Sequence, residues 1–431
     1  MRRCDVSVRY GDDSVALTVD DDRLLWSIGP KDVDPVANES AAVADALNNP
    51  IGCTAIPDLA RAKKAHNAVL LVDDLTRTTP HKIILPLVLD QLNSAGIDDK
   101  HITAIVAVGT HRKLTDQEIV DRFGAENVAR IRFVNHDFDD ASNLVNLGKT
   151  STGTPIVVNK TYLQSDLKIA VGSIVPHMYA GWSGGSKMIQ PGVSGGETTA
   201  ETHLKGSRFG LDMVLGRVEN PVRQDMDEVG IRSGLDFIVN VVQDRWGKLV
   251  GVGAGDPIRA HRCGAEIARG VYEVTVPGLA DVVIAGCYPT ERDIWQSQKP
   301  LVTACMLCKP GGRVVLVGRY RDTVGDKHPL FWNSASKTLD EIEEAANGES
   351  LRDRIDAAAL LGLRPHLSSR TISVICEERP RHEFEGMGFE WLGSDPKAAL
   401  DRILRQCGDG KSIGVIQSHT GDLVPNIVGS N

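Results

Sequence analysis

The chain has 431 residues, too many for a single hydrophobic core and enough for two domains at roughly 150 residues or more each. Hydrophobic residues make up 42% and charged residues 24%, as in ordinary folded proteins, which excludes wholesale disorder. The net charge of -9, without a cluster of Lys and Arg, argues against a nucleic-acid binder, so small molecules are the expected partners.

The start of the chain lacks the features of an exported or membrane protein. Residues 1–5 lead into alternating polar and apolar residues, without the apolar stretch of a secretory signal. The longest apolar runs, such as residues 102–109, are far shorter than the roughly 18 residues that a membrane span needs. We therefore expect a cytoplasmic protein with no membrane partner.

The predicted elements begin with a β-hairpin. Residues 6–10 and 15–19 alternate between polar and apolar on either side of a Gly-Asp turn. Strand-like apolar runs then alternate with helical stretches, which is typical of α/β units with a largely parallel sheet. The predicted strands are 68–72, 102–108 and 167–171, and the predicted helices lie near 81–95 and 115–123.

A second α/β segment follows Pro277-Gly278-Leu279. Its predicted strands are 281–285, 313–317, 371–376 and 412–417, and its predicted helices are 298–307 and 396–406. The sequence thus predicts an α/β protein with two α/β domains. Residues 1–272, with the hairpin, form the N-terminal domain, residues 273–431 form the C-terminal domain, and the active site lies in the cleft between them.

Functional side chains follow the ends of several predicted strands, where α/β sheets bind their ligands. Asp74 and Arg77 follow the first strand, and the Arg77 guanidinium suits a carboxylate, although a surface ion pair is the plain alternative. His111 and His177 follow two others and can move protons at neutral pH, although a single histidine in such a place is more often structural.

A Gly-rich stretch, residues 176–203, combines His177, Lys187 and His203, and a cofactor site needs that mixture more than a structural loop does. It fails the phosphate-loop pattern because Ser186 precedes Lys187 and Met188 follows it. A nucleotide triphosphatase is therefore disfavoured. Cys305 and Cys308 lack a second pair or a nearby histidine, so buried thiols are expected there rather than zinc.

These motifs, in this order, resemble those of the nickel-dependent lactate racemase family over roughly residues 1–320. The motifs that carry the resemblance are Asp74-x-x-Arg77, Gly109-Thr110-His111, Pro176-His177, Ser183-Gly184-Gly185-Ser186-Lys187, Pro191-Gly192, Glu197-Thr198-Thr199 with His203, and Gln296-x-x-Lys299.

The resemblance implies a racemase or epimerase with a nickel-pincer nucleotide, a pyridinium-3,5-bisthiocarboxylic acid mononucleotide that carries nickel. Lys187 would hold it through a thioamide bond, and His203 would be the protein's nickel ligand. The glycines would let the backbone approach this bulky group closely. Cofactor-synthesis enzymes would be partners of the chain, and the substrate would be a small 2-hydroxy acid.

The same resemblance assigns the other site residues. His111 and His177 would be the catalytic acid and base on opposite faces of the substrate, exchanging the hydroxyl proton while hydride passes to and from the cofactor. The residues assigned to the substrate are Asp74, Arg77 and Lys299, and Trp295 and Gln296 are assigned to the cofactor pocket.

Two departures keep the substrate open. Trp295 stands where lactate racemases are expected to have tyrosine, and Asp353-Arg354-Ile355 replaces an expected Asp-x-Trp. Malate-like, aryl and sugar acids all remain candidates. Two further alternatives are a zinc-dependent hydratase or hydrolase using His111, His177 and His203, and a non-catalytic homologue that only binds nickel or a nucleotide.

Overall fold

The structure is a computed structural model that describes residues 3–408 and 410–428. Residues 1–2, 409 and 429–431 lie outside the described residues, and so do those parts of the predicted N-terminal segment and domain ranges that fall on them.

The predicted N-terminal hairpin is confirmed. Strands Arg3–Tyr10 and Asp13–Asp20 pair antiparallel with Val6 opposite Leu17, and Gly11 turns the chain at a φ of 62°. The alternation places one face of the hairpin inward, where Leu17 is buried in a cluster with the second of the two large sheets.

The first large sheet has six strands, and five of them run parallel. In sheet order these strands are Leu249–Gly255, Phe237–Gln243, Leu167–Ser173, Ala68–Val72, Ile102–Val106 and Arg132–Asn135. Only the edge strand Leu249–Gly255 runs antiparallel to its neighbour. Ala68–Val72 and Leu167–Ser173 are buried along their whole length, as expected for strands covered by helices on both faces.

The helices before residue 273 include both helices predicted there. They are Glu39–Asn48, Ile56–Lys63, His81–Ser94, Asp116–Phe123, Ala125–Arg130, Lys160–Leu163, Gly196–Phe209, Leu211–Val214, Pro221–Ser233 and Arg259–Tyr272. Asp116–Phe123 begins at a capping box, in which Thr115 and Glu118 each bond the other's backbone N–H.

The second large sheet also has six strands, all of them parallel to their neighbours. In sheet order they are Glu390–Trp391, Thr371–Ile375, Cys308–Val317, Ala280–Gly286, Ile413–Ile416 and Leu24–Ile28. Its helices are Gln298–Met306, Pro329–Trp332, Leu339–Asn347, Leu351–Leu367, Arg381–Gly386 and Pro396–Gln406. The α/β fold class predicted from sequence is therefore confirmed.

Short elements complete the described chain. Three small antiparallel or parallel pairs join Leu144–Lys149 to Pro155–Asn159, Pro176–His177 to Gly181–Trp182, and Glu273–Val276 to Val424–Ile427. Single turns of tighter 3₁₀ helix lie at Asp99–His101, Ala141–Asn143, Gly185–Met188, Gly325–Lys327 and Thr420–Asp422.

The N-terminal segment packs with the second sheet. Leu24–Ile28 pairs with Ile413–Ile416 as its edge strand, and the hairpin before it covers the same sheet. This differs from the predicted domain ranges, which assign these residues to the N-terminal domain, because nothing local in the sequence indicates a parallel partner at the far end of the chain. The division at 272/273 itself stays a prediction. No helix in the described ranges is long and apolar enough to cross a membrane.

Candidate active site

All nine residues predicted for the site line one cavity. They are Asp74, Arg77, His111, His177, Lys187, His203, Trp295, Gln296 and Lys299. Six of them come from segments that follow strands of the first sheet, and three residues after the strand Ala280–Gly286 of the second sheet close the other wall. The cavity therefore lies between the carboxyl-terminal ends of strands from both sheets.

His111 is held by a carboxylate. Its Nδ1 lies 2.7 Å from Oδ2 of Asp74, and Oδ1 of Asp74 accepts hydrogen bonds from the backbone and hydroxyl of Thr76. Burial alone would raise the pKa of Asp74. The interaction with His111 and these hydrogen bonds lower it by more than burial raises it, so the pKa lies well below its ordinary value. Asp74 is thus an anion bonded to His111, whereas the sequence prediction placed it on the substrate.

His177 has the opposite proton arrangement. It lies on the short strand Pro176–His177, and its Nδ1 accepts a hydrogen bond from the backbone N–H of Tyr179 over 3.2 Å. Burial, followed by the charges of Lys187 and Lys299, lowers the pKa of His177 well below its ordinary value. The neutral ring therefore carries its proton on Nε2.

The two histidines consequently present different atoms. Since Nδ1 of His111 donates to Asp74, its Nε2 is an acceptor, and the side-chain amide of Gln296 lies 3.2 Å from that atom. Nε2 of His177 is a donor. The cavity therefore holds one imidazole whose Nε2 can accept a proton and one whose Nε2–H can donate a hydrogen bond.

Two cations with no carboxylate partner among the described residues meet in the cavity. Arg77 donates only to the carbonyl and hydroxyl of Thr76, and Lys299 donates to Oε1 of Gln296 over 2.7 Å. Burial, followed by the charge of Arg77, lowers the pKa of Lys299 to about 7. An anion between Arg77 and Lys299 would relieve their mutual repulsion.

Lys187 lies on the tight turn Gly185–Met188, partly buried in the cavity wall. Its amine has no hydrogen-bond or ion-pair partner in the part of the chain that is described. Burial, followed by the charges of Arg77 and Lys299, lowers the pKa of Lys187 well below its ordinary value. The shift favours the uncharged amine, the form that forms covalent bonds.

The glycines before Lys187 are required by the protein's own packing. A Cβ on Gly181 would lie 1.9 Å from the carbonyl oxygen of Arg217, and one on Gly184 would lie 2.6 Å from Oδ1 of Asn240. Both glycines have a φ of 75°. At Gly181 and Gly184, contact with neighbouring protein atoms is therefore enough to require glycine, without the close approach of a cofactor that the sequence analysis expected.

Arg223 fixes this Gly-rich segment and was missed by sequence reasoning. It is fully buried, and its guanidinium donates to the carbonyl oxygens of Ala180, Trp182 and Gly184. Arg223 belongs to the helix Pro221–Ser233 and reaches the segment only through the fold, so no local pattern indicates it.

His203 is a neutral ring with a free nitrogen. It lies on the helix Gly196–Phe209, its edge faces Tyr179 at 4.4 Å between ring centres, and its buried Nδ1 has no hydrogen-bond partner among the residues that the structure describes. Burial, followed by the charge of Lys187, lowers the pKa of His203 to about 3. An unpartnered neutral imidazole nitrogen in a cavity wall has the chemistry of a metal ligand.

Trp295 is braced from behind by residues that the sequence did not indicate. Its indole lies parallel to the ring of His328 at 3.8 Å between centres, and Nδ1 of His328 lies 2.6 Å from Oδ1 of the buried Asp356. Trp295 also meets the edge of Phe331. The helices Pro329–Trp332 and Leu351–Leu367, which carry or adjoin these residues, therefore set the position of this cavity wall.

No three His, Cys, Asp or Glu side chains of the described residues are grouped closely enough to hold a metal ion between them. The alternative that uses zinc on His111, His177 and His203 needs such a group. A metal that has a single protein ligand and takes its other donors from a cofactor does not need such a group. Cys305 and Cys308 are buried free thiols, as expected.

Comparison with known proteins gives one consistent result. The family described as lactate racemase N-terminal domain matches residues 10–209. A lactate racemase of Thermoanaerobacterium thermosaccharolyticum is 32% identical over 364 residues, 82% of this chain and 84% of that protein. A lactate racemase of Lactiplantibacillus plantarum is 34% identical over 292 residues, 67% of this chain and 68% of that protein.

Solved structures agree with this result. The structure of the lactate racemase apoprotein from Thermoanaerobacterium thermosaccharolyticum matches with a TM-score of 0.85 and 28% identity, over 98% of this chain and all of that one. A crystal structure of a protein from Thermotoga maritima matches with a TM-score of 0.71 over 92% of this chain and all of that one, and at 17% identity it shows the same fold.

Proposed function

The chain belongs to the lactate racemase family and is an isomerase, and from that premise we propose that it inverts C2 of a 2-hydroxy acid with a nickel-pincer nucleotide attached to Lys187. The observation that carries the proposal is the pairing of His111 and His177 on one cavity with opposite proton arrangements. Inversion through the hydroxyl group needs a base on one side of the substrate and an acid on the other.

Arg77 and Lys299 bind the substrate carboxylate in this proposal. They are the two cavity cations without a carboxylate partner among the described residues, and a planar guanidinium with an ammonium fixes both position and charge of a carboxylate. Neutralising that charge matters because the hydrogen on C2 of a carboxylate is a very weak acid. Removal of that hydrogen as hydride, with the hydroxyl proton taken by a base, is the easier route.

The residues present fit the cofactor. Lys187 offers an amine whose lowered pKa favours the uncharged form that a thioamide bond needs, and Nδ1 of His203 is a buried imidazole nitrogen that lacks a partner among the described residues. We propose that these two residues hold the nucleotide and its nickel, and that Trp295 and Gln296 line its pocket. When bound, the nucleotide supplies a centre that takes up the C2 hydride and returns it.

The protein's part in the reaction is proton transfer. Nε2 of His111 accepts the hydroxyl proton, and the carboxylate of Asp74 on Nδ1 stabilises the imidazolium that results. His177 gives the proton that restores the hydroxyl group on the other face: in its protonated form the ring releases that proton from Nε2 and becomes neutral. After one turnover His111 is protonated and His177 is neutral, and from that state the two histidines exchange these roles for the opposite enantiomer.

We also propose that cofactor-synthesis enzymes load Lys187 before turnover and that the protein works in the cytoplasm, where such enzymes and small hydroxy acids are found together. A chain made in a host that lacks those enzymes would carry a free Lys187.

The test starts with the protein purified from a host that makes the cofactor. We expect an intact-mass adduct of mononucleotide size that maps to Lys187, equimolar nickel, and racemisation of at least one chiral 2-hydroxy acid by chiral chromatography. His111→Ala and His177→Ala should each lower turnover by about 10²- to 10⁴-fold, the usual contribution of a positioned acid or base, while adduct and nickel remain.

The exposed His101 provides the matched control, since His101→Ala should keep full turnover. An unmodified Lys187 with stoichiometric zinc would favour the zinc alternative instead. A loaded, nickel-containing protein that racemises no 2-hydroxy acid would favour the non-catalytic homologue.

A further inference from the structure

A second pocket opens directly from the active-site cavity. Six residues line both spaces, namely Asp74, Thr76, Thr110, His111, Trp295 and Gln296. The second pocket does not include Arg77 or Lys299, which bind the substrate carboxylate in the proposed function. A group attached to C2 of a substrate held between the histidines can therefore extend past His111 into this pocket.

The far wall of the second pocket carries cations in excess. Lys327 and Arg379 line it, and neither side chain has a hydrogen bond or an ion pair with any residue in the described ranges. The other cations of this wall are already paired, Arg292 with Asp322 at 2.8 Å and Arg112 with both oxygens of Glu118.

The carboxylates that line this pocket already have hydrogen-bond or ion-pair partners. Asp322 is paired with Arg292, Asp74 with His111, and Oδ1 of Asp293 accepts from the backbone N–H of Gln296 over 2.8 Å. None of them is recorded in contact with Lys327 or Arg379. Lys327 and Arg379 consequently have no carboxylate within ion-pair distance among the described residues.

His328 adds a third polar group in a fixed position. Its ring is held flat against Trp295 at an angle of 7°, and Asp356 binds its Nδ1, so that Nε2 is left for a ligand. Asp356 is itself fixed, since its second oxygen accepts from the backbone of Phe331. Lys327 and Arg379 themselves are exposed, whereas the ring of His328 beside them is held in place by Trp295 and Asp356.

We infer that the natural substrate is a 2-hydroxy acid with a second anionic group, of the dicarboxylic class, and that Lys327 and Arg379 bind this group beside His328. The inference rests on the proposed function. The methyl group of lactate would gain nothing from two unpaired cations, whereas a second carboxylate gains charge-assisted hydrogen bonds from both.

The experiment compares malate with 2-hydroxybutanoate, which has the same four-carbon backbone with a methyl group in place of the second carboxylate. The holoenzyme should have at least tenfold higher kcat/KM for malate. Lys327→Gln and Arg379→Gln should each reduce that preference about tenfold, the size expected for one charge-assisted hydrogen bond, and leave 2-hydroxybutanoate unaffected. Lys82→Gln, at an exposed lysine of the helix His81–Ser94, should change neither value.

Calorimetric titration of the holoenzyme with malate separates the two possible failures, because racemisation of enantiomers releases no heat and the signal reports binding alone. Malate that binds tightly without being racemised would overturn the proposed function. Racemisation of 2-hydroxybutanoate as fast as malate, or a malate preference untouched by both Gln variants, would overturn this inference and leave the proposed function standing.

Discussion

Oδ2 of Asp74 lies 2.7 Å from Nδ1 of His111 and fixes which nitrogen of that imidazole carries the proton. His177 has the reverse assignment because its Nδ1 accepts from a backbone N–H. The difference between the two histidines therefore originates in one carboxylate, and changing that carboxylate tests it directly.

Asp74→Asn should lower kcat/KM by about 10²- to 10⁴-fold, because an amide can neither hold the tautomer of His111 nor stabilise its imidazolium. Since two enantiomers have equal free energy, the loss must be the same in both directions. Chiral chromatography from each pure enantiomer measures it. Asp58→Asn, at an exposed carboxylate of the helix Ile56–Lys63, serves as the control. Activity within a few-fold of wild type in Asp74→Asn would remove Asp74 from the proton path.

The lowered pKa of Lys299, about 7, predicts a pH dependence of substrate binding. Lys299 is charged below that pH and loses its proton above it, so kcat/KM should fall up to tenfold per pH unit above about 7. Lys299→Arg keeps the charge at all these pH values, and we expect it to move the fall to higher pH. A fall that stays at the same pH in Lys299→Arg would assign the titration to another group.

The same group affects stability with a definite sign. Its ordinary pKa of 10.5 applies to the unfolded chain, which therefore binds more protons than the folded chain between about pH 7 and 10.5. The contribution of Lys299 to the free energy of unfolding should rise with pH through that window. Urea unfolding of wild type and Lys299→Gln at both ends of the window measures the difference.

Arg223 is expected to stabilise the segment that carries Lys187. Arg223→Met keeps much of the side-chain volume but leaves the carbonyl oxygens of Ala180, Trp182 and Gly184 buried without these donors. The free energy of unfolding should fall by about 2–4 kcal/mol. Arg61→Met on an exposed helix face should cost less than about 0.5 kcal/mol in the same urea titration. Equal losses in the two variants would contradict a special role for Arg223.

Gly181 and Gly153 form a matched pair for testing the packing of the Gly-rich segment. Both have positive φ, 75° and 93°, but a Cβ on Gly181 would meet the carbonyl oxygen of Arg217 at 1.9 Å, while one on Gly153 meets nothing within 4 Å. Gly153→Ala should therefore cost only about 1 kcal/mol of backbone strain. Gly181→Ala should cost clearly more, about 3 kcal/mol or above, because backbone atoms have to move. Thermal unfolding of both variants provides the comparison.

The sequence predicted those features of the fold that are determined by neighbouring residues in the chain. The strand Ala68–Val72, the helix Pro396–Gln406 and the other elements that were predicted could be recognised because their apolar patterns and flanking residues lie within or next to the element itself. The site residues were found because they directly follow strands or lie in a Gly-rich segment that resembles a known family. Parallel strands end at a common edge, so the fold then brings these residues together.

What the sequence did not indicate depends on contacts between distant segments. Arg223 reaches the Gly-rich segment from another helix. His328, which Asp356 holds in place, reaches Trp295 from just before the helix Pro329–Trp332. Likewise Leu24–Ile28 finds its parallel partner only at the other end of the chain. No periodicity or spacing records such pairings, and hydrogen bonds between a side chain and a distant backbone have no sequence signature.

The pairing of Leu24–Ile28 with Ile413–Ile416 also sets an order of events during synthesis. Leu24–Ile28 is an edge strand whose one sheet neighbour, Ile413–Ile416, is synthesised near the end of the chain. It therefore leaves the ribosome long before its partner strand has been made. The strands of the first sheet are complete by residue 255 and can assemble while the N-terminal hairpin waits. Pairing of Ile413–Ile416 with Leu24–Ile28 then joins segments from the two ends of the chain in one sheet, and a truncation that removes Ile413–Ile416 leaves Leu24–Ile28 without its strand partner.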